Sequence, residues 1–208
     1  MTVTVPLSGY CDPRFEPVRE AFLTNFTERG EPGAAVCVSI GGRIVVDLWG
    51  GWSDRAKSRT WARDTLVNIF SVGKALTSVC ALRLFERGLV DLGAPVARRW
   101  PEFAAHDKDE ISLRDMLSRR SALPALREPI PDGAMLDWKF MTKALASEAP
   151  WWPPGTAHGY HVNTFGYLVG EVVRRAGGKT LGALLRDDVA GPLGAEIAEC
   201  VDVITMRR

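Results

Sequence analysis

Apolar residues recur along Arg14 to Arg29 at spacings of three and four, as Phe15, Val18, Phe22 and Phe26. That period predicts an amphipathic helix, closed by Gly30-Glu31-Pro32-Gly33. The pattern then becomes strand-like. Ala34 to Ile40 and Ile44 to Trp49 are β-rich runs joined by Gly41-Gly42, which predicts a hairpin. Gly50 to Asp64 is polar, carries Trp52 and Trp61, and reads as a loop. It leads into Leu66-Val67-Asn68-Ile69-Phe70, a short apolar extended run, and then into a helix over Ala75 to Arg87.

Beyond Arg87 the pattern is mostly helical. Ser112 to Arg120 predicts a short helix with a capping box, Ser112 at the cap and Asp115 three residues on. Leu136 to Ser147 predicts a second helix. Asn163 to Ala176 predicts a third, capped by Asn163 and ended by Gly177-Gly178, and Thr180 stands where it caps a fourth. No internal repeat or low-complexity tract interrupts this order.

The chain has 208 residues, enough for one large domain or a domain with a lobe. Its 26 basic and 25 acidic side chains nearly cancel, so no basic field for nucleic acid or an anionic membrane is expected. No apolar run approaches the length of a membrane span, and Met1-Thr2-Val3-Thr4-Val5-Pro6 lacks the basic start of a secretory signal. The expectation is a cytoplasmic protein. Cys11, Cys37, Cys80 and Cys200 are irregularly spaced and read as buried reduced thiols. His106, His158 and His161 form no HExxH, so zinc hydrolysis has no support and no cofactor is expected. Gly178-Lys179-Thr180 resembles the end of a phosphate-binding loop, but Val173 stands at its first glycine and a helix precedes it. No serine stands in G-x-S-x-G.

Two segments carry chemistry. In Ser71-Val72-Gly73-Lys74 the serine and lysine are three apart, on one face of a helical turn. Lys74 then lies within reach of Ser71 Oγ and is placed to take its proton, while the helix start favours a developing oxyanion. The bland alternative is a capping serine beside a solvated lysine. In the second segment, Trp151-Trp152-Pro153-Pro154-Gly155 is a rigid aromatic turn followed by Tyr160-His161. It reads either as a proline-fixed corner with packed aromatics, or as a wall that aims the Tyr160 hydroxyl at a site as a proton relay.

Together these segments resemble the N-terminal part of a family VIII carboxylesterase, the esterase branch of the serine β-lactamase and penicillin-binding-protein group. The likeness runs from about Gly9 to Gly194. It rests on Gly9-Tyr10-Cys11-Asp12-Pro13-Arg14-Phe15, Val46-Asp47-Leu48-Trp49-Gly50-Gly51, Ser71-Val72-Gly73-Lys74, Trp151-Trp152-Pro153-Pro154-Gly155, Gly159-Tyr160-His161 and Gly166-Tyr167-Leu168-Val169-Gly170-Glu171-Val172-Val173. The resemblance implies Ser71 as nucleophile, Lys74 as base and Tyr160 as proton relay, with the Ser71 N–H as one oxyanion donor and no metal or organic cofactor. It also implies an α+β fold, β-lactamase/DD-peptidase-like, with an antiparallel sheet flanked by helices and an all-helical lobe. The substrate class would be short-chain carboxylic esters. A β-lactamase or D-Ala peptidase-like acyl transferase is the alternative, and a non-catalytic binding or oligomerising domain is the reading from outside enzymology.

Three departures qualify the resemblance. Val162 stands two residues after Tyr160, where β-lactamase relatives place asparagine, and Asn163 comes one position late. In Leu117-Ser118-Arg119-Arg120-Ser121-Ala122-Leu123-Pro124, Ala122 occupies a usual glycine, so the turn is expected to differ and the two arginines to face solvent. The chain also ends at Arg208, before the strand that in family members supplies a second oxyanion donor, worth about 3–4 kcal/mol. The expected organisation is therefore one truncated domain over 1–208, lacking the C-terminal sheet strands. It would comprise an N-terminal helix, hairpin and nucleophile helix (1–87), a helical lobe (88–195) and an unmatched tail (196–208). The uncovered hairpin edge would invite pairing with another copy, giving a homo-oligomer, or else leave a product of weakened activity.

Overall fold

The computed structural model describes residues 5–197. They form two compact units that divide between Asn68 and Ile69.

In the first unit, β1 (Leu7–Cys11), α1 (Glu16–Glu28), β2 (Gly33–Ile40) and β3 (Arg43–Gly51) follow in chain order. The strands make one antiparallel sheet in the order β1-β3-β2. Gly41 and Gly42 turn the predicted hairpin with φ of +57° and +77°, the left-handed pair that a tight two-residue turn needs. Register runs from Ile40 opposite Arg43 to Val38 opposite Val46, with Val45 as an extra residue. That bulge sends both Val45 and Val46 into the core, breaking the strict alternation of the strand. They pack with Leu48 and with the predicted apolar face of α1, where Phe22 meets Phe26 edge-on at 5.0 Å. The expected bare hairpin is not what forms. Leu7–Cys11 pairs with β3 from Leu7 opposite Gly50 to Cys11 opposite Val46, so β3 is central and β1 and β2 are the outer strands.

The second unit is helical. Gly73–Glu86 (α2), Leu113–Leu117 (α3), Trp138–Ser147 (α4), Thr164–Gly177 (α5) and Leu181–Leu185 (α6) surround one core. Leu66 to Ile69, expected to be extended, forms no strand, because no strand among the described residues lies beside it to pair with. The caps behave as their chemistry dictates. Ser112 and Asp115 close a reciprocal capping box, Asp137 accepts from the Phe140 N–H, and Thr180 accepts from the Ala183 N–H. Gly178 ends α5 at φ +66°. Asn163 occupies the cap position of α5, but its side chain makes no capping bond. Phe165, Leu168, Val169, Val172 and Val173 form the buried stripe of α5, against Ala81 and Leu84 of α2 and Leu145 of α4. No helix among the described residues is long and apolar enough to cross a membrane.

Two charges lie inside this core. Glu171 is 2% exposed, yet its carboxylate accepts from Arg174, Arg175 and the Trp138 indole at 2.7–2.8 Å. Burial raises its pKa, but those donors outweigh burial and bring it to about 2. Lys108 is fully buried, and its three N–H bonds go to the carbonyls of Ala105, Ala146 and Glu148 at 2.6–3.0 Å. The ammonium thereby serves carbonyls at the C-terminal end of α4, where the helix dipole is negative. Burial pushes its pKa down to about 8. Among the cysteines only Cys80 is buried; Cys11 is half-buried and Cys37 exposed on β2, and Cys200 lies outside the described residues. Replacing Lys108 by Met should destabilise the helical unit by about 3 kcal/mol, because one buried and two part-buried carbonyls lose their donor. Urea titration of the variant should show a lower midpoint; an unchanged midpoint would refute the role given to Lys108.

Candidate active site

Ser71 lies in a 3-10 turn, Phe70–Val72, that runs directly into α2. The first N–H groups of a helix lack intrahelical acceptors, so this end presents donors and positive potential. Phe70, the residue before Ser71, has φ +43°, a left-handed backbone that a bulky side chain rarely adopts. One turn on, Lys74 Nζ donates to Ser71 Oγ at 3.2 Å. Tyr160 OH donates to the same oxygen at 2.7 Å. The three residues that the sequence singled out, 89 positions apart at the extremes, converge on one atom.

Tyr160 belongs to a loop between the Trp151–Gly155 turn and α5, and a second loop holds it in place. The Trp151 N–H donates to the Ala122 carbonyl at 2.8 Å, Gly155 N–H to Arg120 at 2.9 Å and Gly159 N–H to Arg119 at 3.2 Å. The Thr164 hydroxyl donates to the Leu123 carbonyl at 2.7 Å. Between these contacts lies His161, 1% exposed. Its Nε2 stands 3.2 Å from the Leu123 N–H and 3.1 Å from Ser121 Oγ, and its Nδ1 stands 2.7 Å from the Gly159 carbonyl. A backbone N–H can only donate, so Nε2 is the acceptor and Nδ1 carries the proton. Trp152 supports the same loop from its other side. A Cβ at Gly159 would meet the Trp152 ring at 2.6 Å, so the ring lies directly on glycine backbone one residue before Tyr160. Trp151 instead braces the neighbouring segment, its indole donating to the Ala125 carbonyl while Arg127 stacks on the ring at 4.6 Å.

Two expectations for this region are corrected. Ala122 does adopt the left-handed backbone, at φ +58°, fully buried and with its carbonyl engaged by Trp151. The left-handed backbone forms despite the Cβ, at a cost of about 1–2 kcal/mol. The arginines also do not simply face solvent. Arg120 donates to the Gly155 carbonyl, and the Arg119 guanidinium lies 4.9 Å from the centroid of the Tyr160 ring. Sequence reasoning missed Arg119 and His161. The only signal for His161 was its place directly after Tyr160.

Electrostatics around Ser71 are cationic. Lys74 Nζ lies 5.1 Å from the Tyr160 ring centroid, on the same phenol that Arg119 covers. The hydrogen bond with Ser71 is the main influence holding the Tyr160 phenol below its ordinary pKa; Lys74 and Arg119 act in the same sense and desolvation opposes them. A cavity of about 710 Å³ elsewhere in the unit is lined by Trp100, Trp138, Lys143 and Glu171, but the Glu171 carboxylate is already saturated and the cavity does not include Ser71. Among the described residues no three His, Cys, Asp or Glu side chains gather as a metal site.

Residues 19–198 match the family model described as Beta-lactamase. The chain belongs to the Beta-lactamase family. Among curated members of the family, "Esterase/beta-lactamase LipL" of Mycobacterium tuberculosis is 37% identical over 188 residues, which is 90% of this chain and 43% of that protein. A solved family VIII carboxylesterase is 41% identical with a TM-score of 0.84, covering 91% of this chain and 52% of the other. A penicillin-binding protein homologue from Caulobacter crescentus is 40% identical with a TM-score of 0.87, covering 91% and 51%. The β-lactamase and penicillin-binding-protein fold is thus present as a small antiparallel sheet with helices. The chain spans about half the length of the family members it matches.

Burial holds the His161 imidazole below its ordinary pKa of 6.5, with the Gly159 carbonyl opposing and Arg119 assisting. The neutral ring is the folded form, so below about pH 6.5 the unfolded chain binds a proton that the native state does not. Stability should therefore fall as pH drops through that value. His161→Asn should cost about 2–3 kcal/mol at neutral pH and flatten this acid dependence. Urea midpoints of both proteins at neutral and mildly acid pH check this; equal slopes would contradict it.

Proposed function

We propose that this chain is a serine hydrolase of the esterase type, acting on short-chain carboxylic esters through an acyl-enzyme on Ser71, with Lys74 as base and Tyr160 as proton relay. The observation that carries the reading is the convergence of Lys74 Nζ and Tyr160 OH on Ser71 Oγ, at 3.2 and 2.7 Å. A neutral Lys74 amine takes the phenol proton of Tyr160. The phenolate then takes the proton of Ser71 as Oγ bonds to the ester carbonyl carbon. The tetrahedral oxyanion forms beside the N-terminal end of α2, where the Ser71 N–H supplies one donor. As the intermediate collapses, Tyr160 gives its proton to the leaving alkoxide. Water repeats the sequence: Tyr160 takes its proton, hydroxide attacks the acyl carbon, and Ser71 leaves with the proton from Tyr160.

The solved family VIII protein is named a carboxylesterase, which supports the ester class, while the name of LipL carries both esterase and beta-lactamase. Val162, in the place where β-lactamase relatives carry asparagine, favours esters over lactams.

A fluorophosphonate probe should phosphonylate Ser71 with loss of fluoride, located by peptide mass spectrometry. Ser71→Ala should abolish the adduct, and Lys74→Met should slow labelling about 10²–10⁴-fold, the usual worth of a positioned base. No adduct on a folded protein would overturn the proposal in favour of a non-catalytic binding domain. An adduct with a penicillin probe but no ester turnover would move the assignment to lactam acyl transfer.

A further inference from the structure

We infer that Arg119 is a positioning residue for the Tyr160–Ser71 pair: its guanidinium, stacked on the phenol ring, holds Tyr160 toward Ser71 and stabilises the phenolate that the relay must form. The inference rests on the esterase reading of Ser71 and assigns to a side chain outside the Ser-Lys-Tyr group part of the work of the relay.

Four observations carry it. The guanidinium carbon lies 4.9 Å from the ring centroid, within the range of a cation–π contact. Among the described residues Arg119 enters no ion pair, so its charge is not neutralised by a carboxylate. Its position is fixed by the backbone: φ is +61°, its N–H donates to the Met116 carbonyl at 3.0 Å, and its carbonyl accepts from the Gly159 N–H at 3.2 Å. That last bond joins it to the residue immediately before Tyr160. Finally, the groups that face the phenol are Ser71 from the 3-10 turn before α2, Lys74 from the start of α2 and Arg119 from the turn after α3, with His161 turned away onto Ser121 and Leu123.

The electrostatic consequence follows from the relay itself. When Tyr160 passes its proton to Lys74, negative charge appears on the phenol oxygen and spreads into the ring. A neutral ring attracts a cation only through its quadrupole, whereas the phenolate attracts it as a full charge. Arg119 therefore favours the phenolate over the phenol. An arginine cannot give up its proton in this range, so it supplies charge without competing as a base. The directions of influence on Tyr160 agree with this, Arg119 acting in the same sense as Lys74.

The test compares the wild type with Arg119→Gln, which keeps the stem without the charge, and Arg119→Lys, which restores the charge. Only Tyr10, Tyr160 and Tyr167 contribute to the tyrosinate absorbance, and subtraction of a Tyr160→Phe spectrum isolates the relay phenol. Arg119→Gln should shift the Tyr160 titration to higher pH by about one unit, with Arg119→Lys returning much of the shift. The pH profile of fluorophosphonate labelling at Ser71 should move in parallel, so that labelling at neutral pH falls about tenfold and recovers at high pH. A titration that does not move in Arg119→Gln overturns the inference, as does a labelling loss equal at every pH, which would mark a merely structural role. If wild-type Ser71 takes no probe at all, the esterase reading fails. The spectroscopic titration needs no turnover and still decides what Arg119 does to Tyr160.

Discussion

One buried imidazole ties together the two loops that frame the candidate site. His161 accepts from the Leu123 N–H and meets the Ser121 hydroxyl in buried contacts, and donates to the half-buried Gly159 carbonyl. Besides it, the loop bearing Tyr160 is tied to the 119–123 segment by backbone contacts, the Thr164 hydroxyl, the Arg120 side chain on the Gly155 carbonyl and the Arg119 guanidinium on the Tyr160 ring. An imidazole suits this position because one ring presents an acceptor and a donor on opposite edges, bridging two loops that cannot pair as a sheet. The hydroxyl of Tyr160 can then reach Ser71 from an exposed loop without the disorder expected of one.

The same region concentrates backbone strain. Phe70, Arg119 and Ala122 all take left-handed φ values without being glycine. Each costs about 1–3 kcal/mol and persists only where neighbouring bonds over-determine it. Such bonds are visible at all three: Gly73, Gly159 and Trp151 donate to the carbonyls of Phe70, Arg119 and Ala122. Strain next to Ser71 and beside the Tyr160 loop means that the site is held in place by the helical unit beneath it rather than by its own local preference. The stripe of α5, the Glu171 cluster and the buried Lys108 provide that base.

Charge follows a comparable division between site and interior. The chain is almost neutral overall, yet Lys74 and Arg119 both stand within 5.1 Å of the Tyr160 ring centroid. In the interior the pattern reverses: Glu171 is enclosed by donors and Lys108 by carbonyls. Buried ions are tolerated because every partner is supplied, whereas the site keeps its cations close to a group that can become an anion.

Periodicity and turn chemistry determined the α1 stripe, the Gly41-Gly42 hairpin, the capping box at Ser112, the Thr180 cap and the Gly178 stop, because each depends on residues within a few positions of one another. Motif spacing likewise brought Ser71 and Lys74 together, since one helical turn suffices. The strand Leu7–Cys11 was not legible, because it exists only through pairing with β3 some forty positions on. Leu66 to Ile69 shows the converse: a mostly apolar run that pairs with no strand among the described residues stays irregular. Arg119 looked like a solvated charge and Lys108 stood in the polar run His106-Asp107-Lys108-Asp109-Glu110, and the contacts of both and the burial of Lys108 arise from segments up to 41 residues distant. Ala122 took a backbone its side chain disfavours because the Trp151 turn fixes its carbonyl. Local preference is worth about 1 kcal/mol per residue, and a set of buried long-range hydrogen bonds outweighs it.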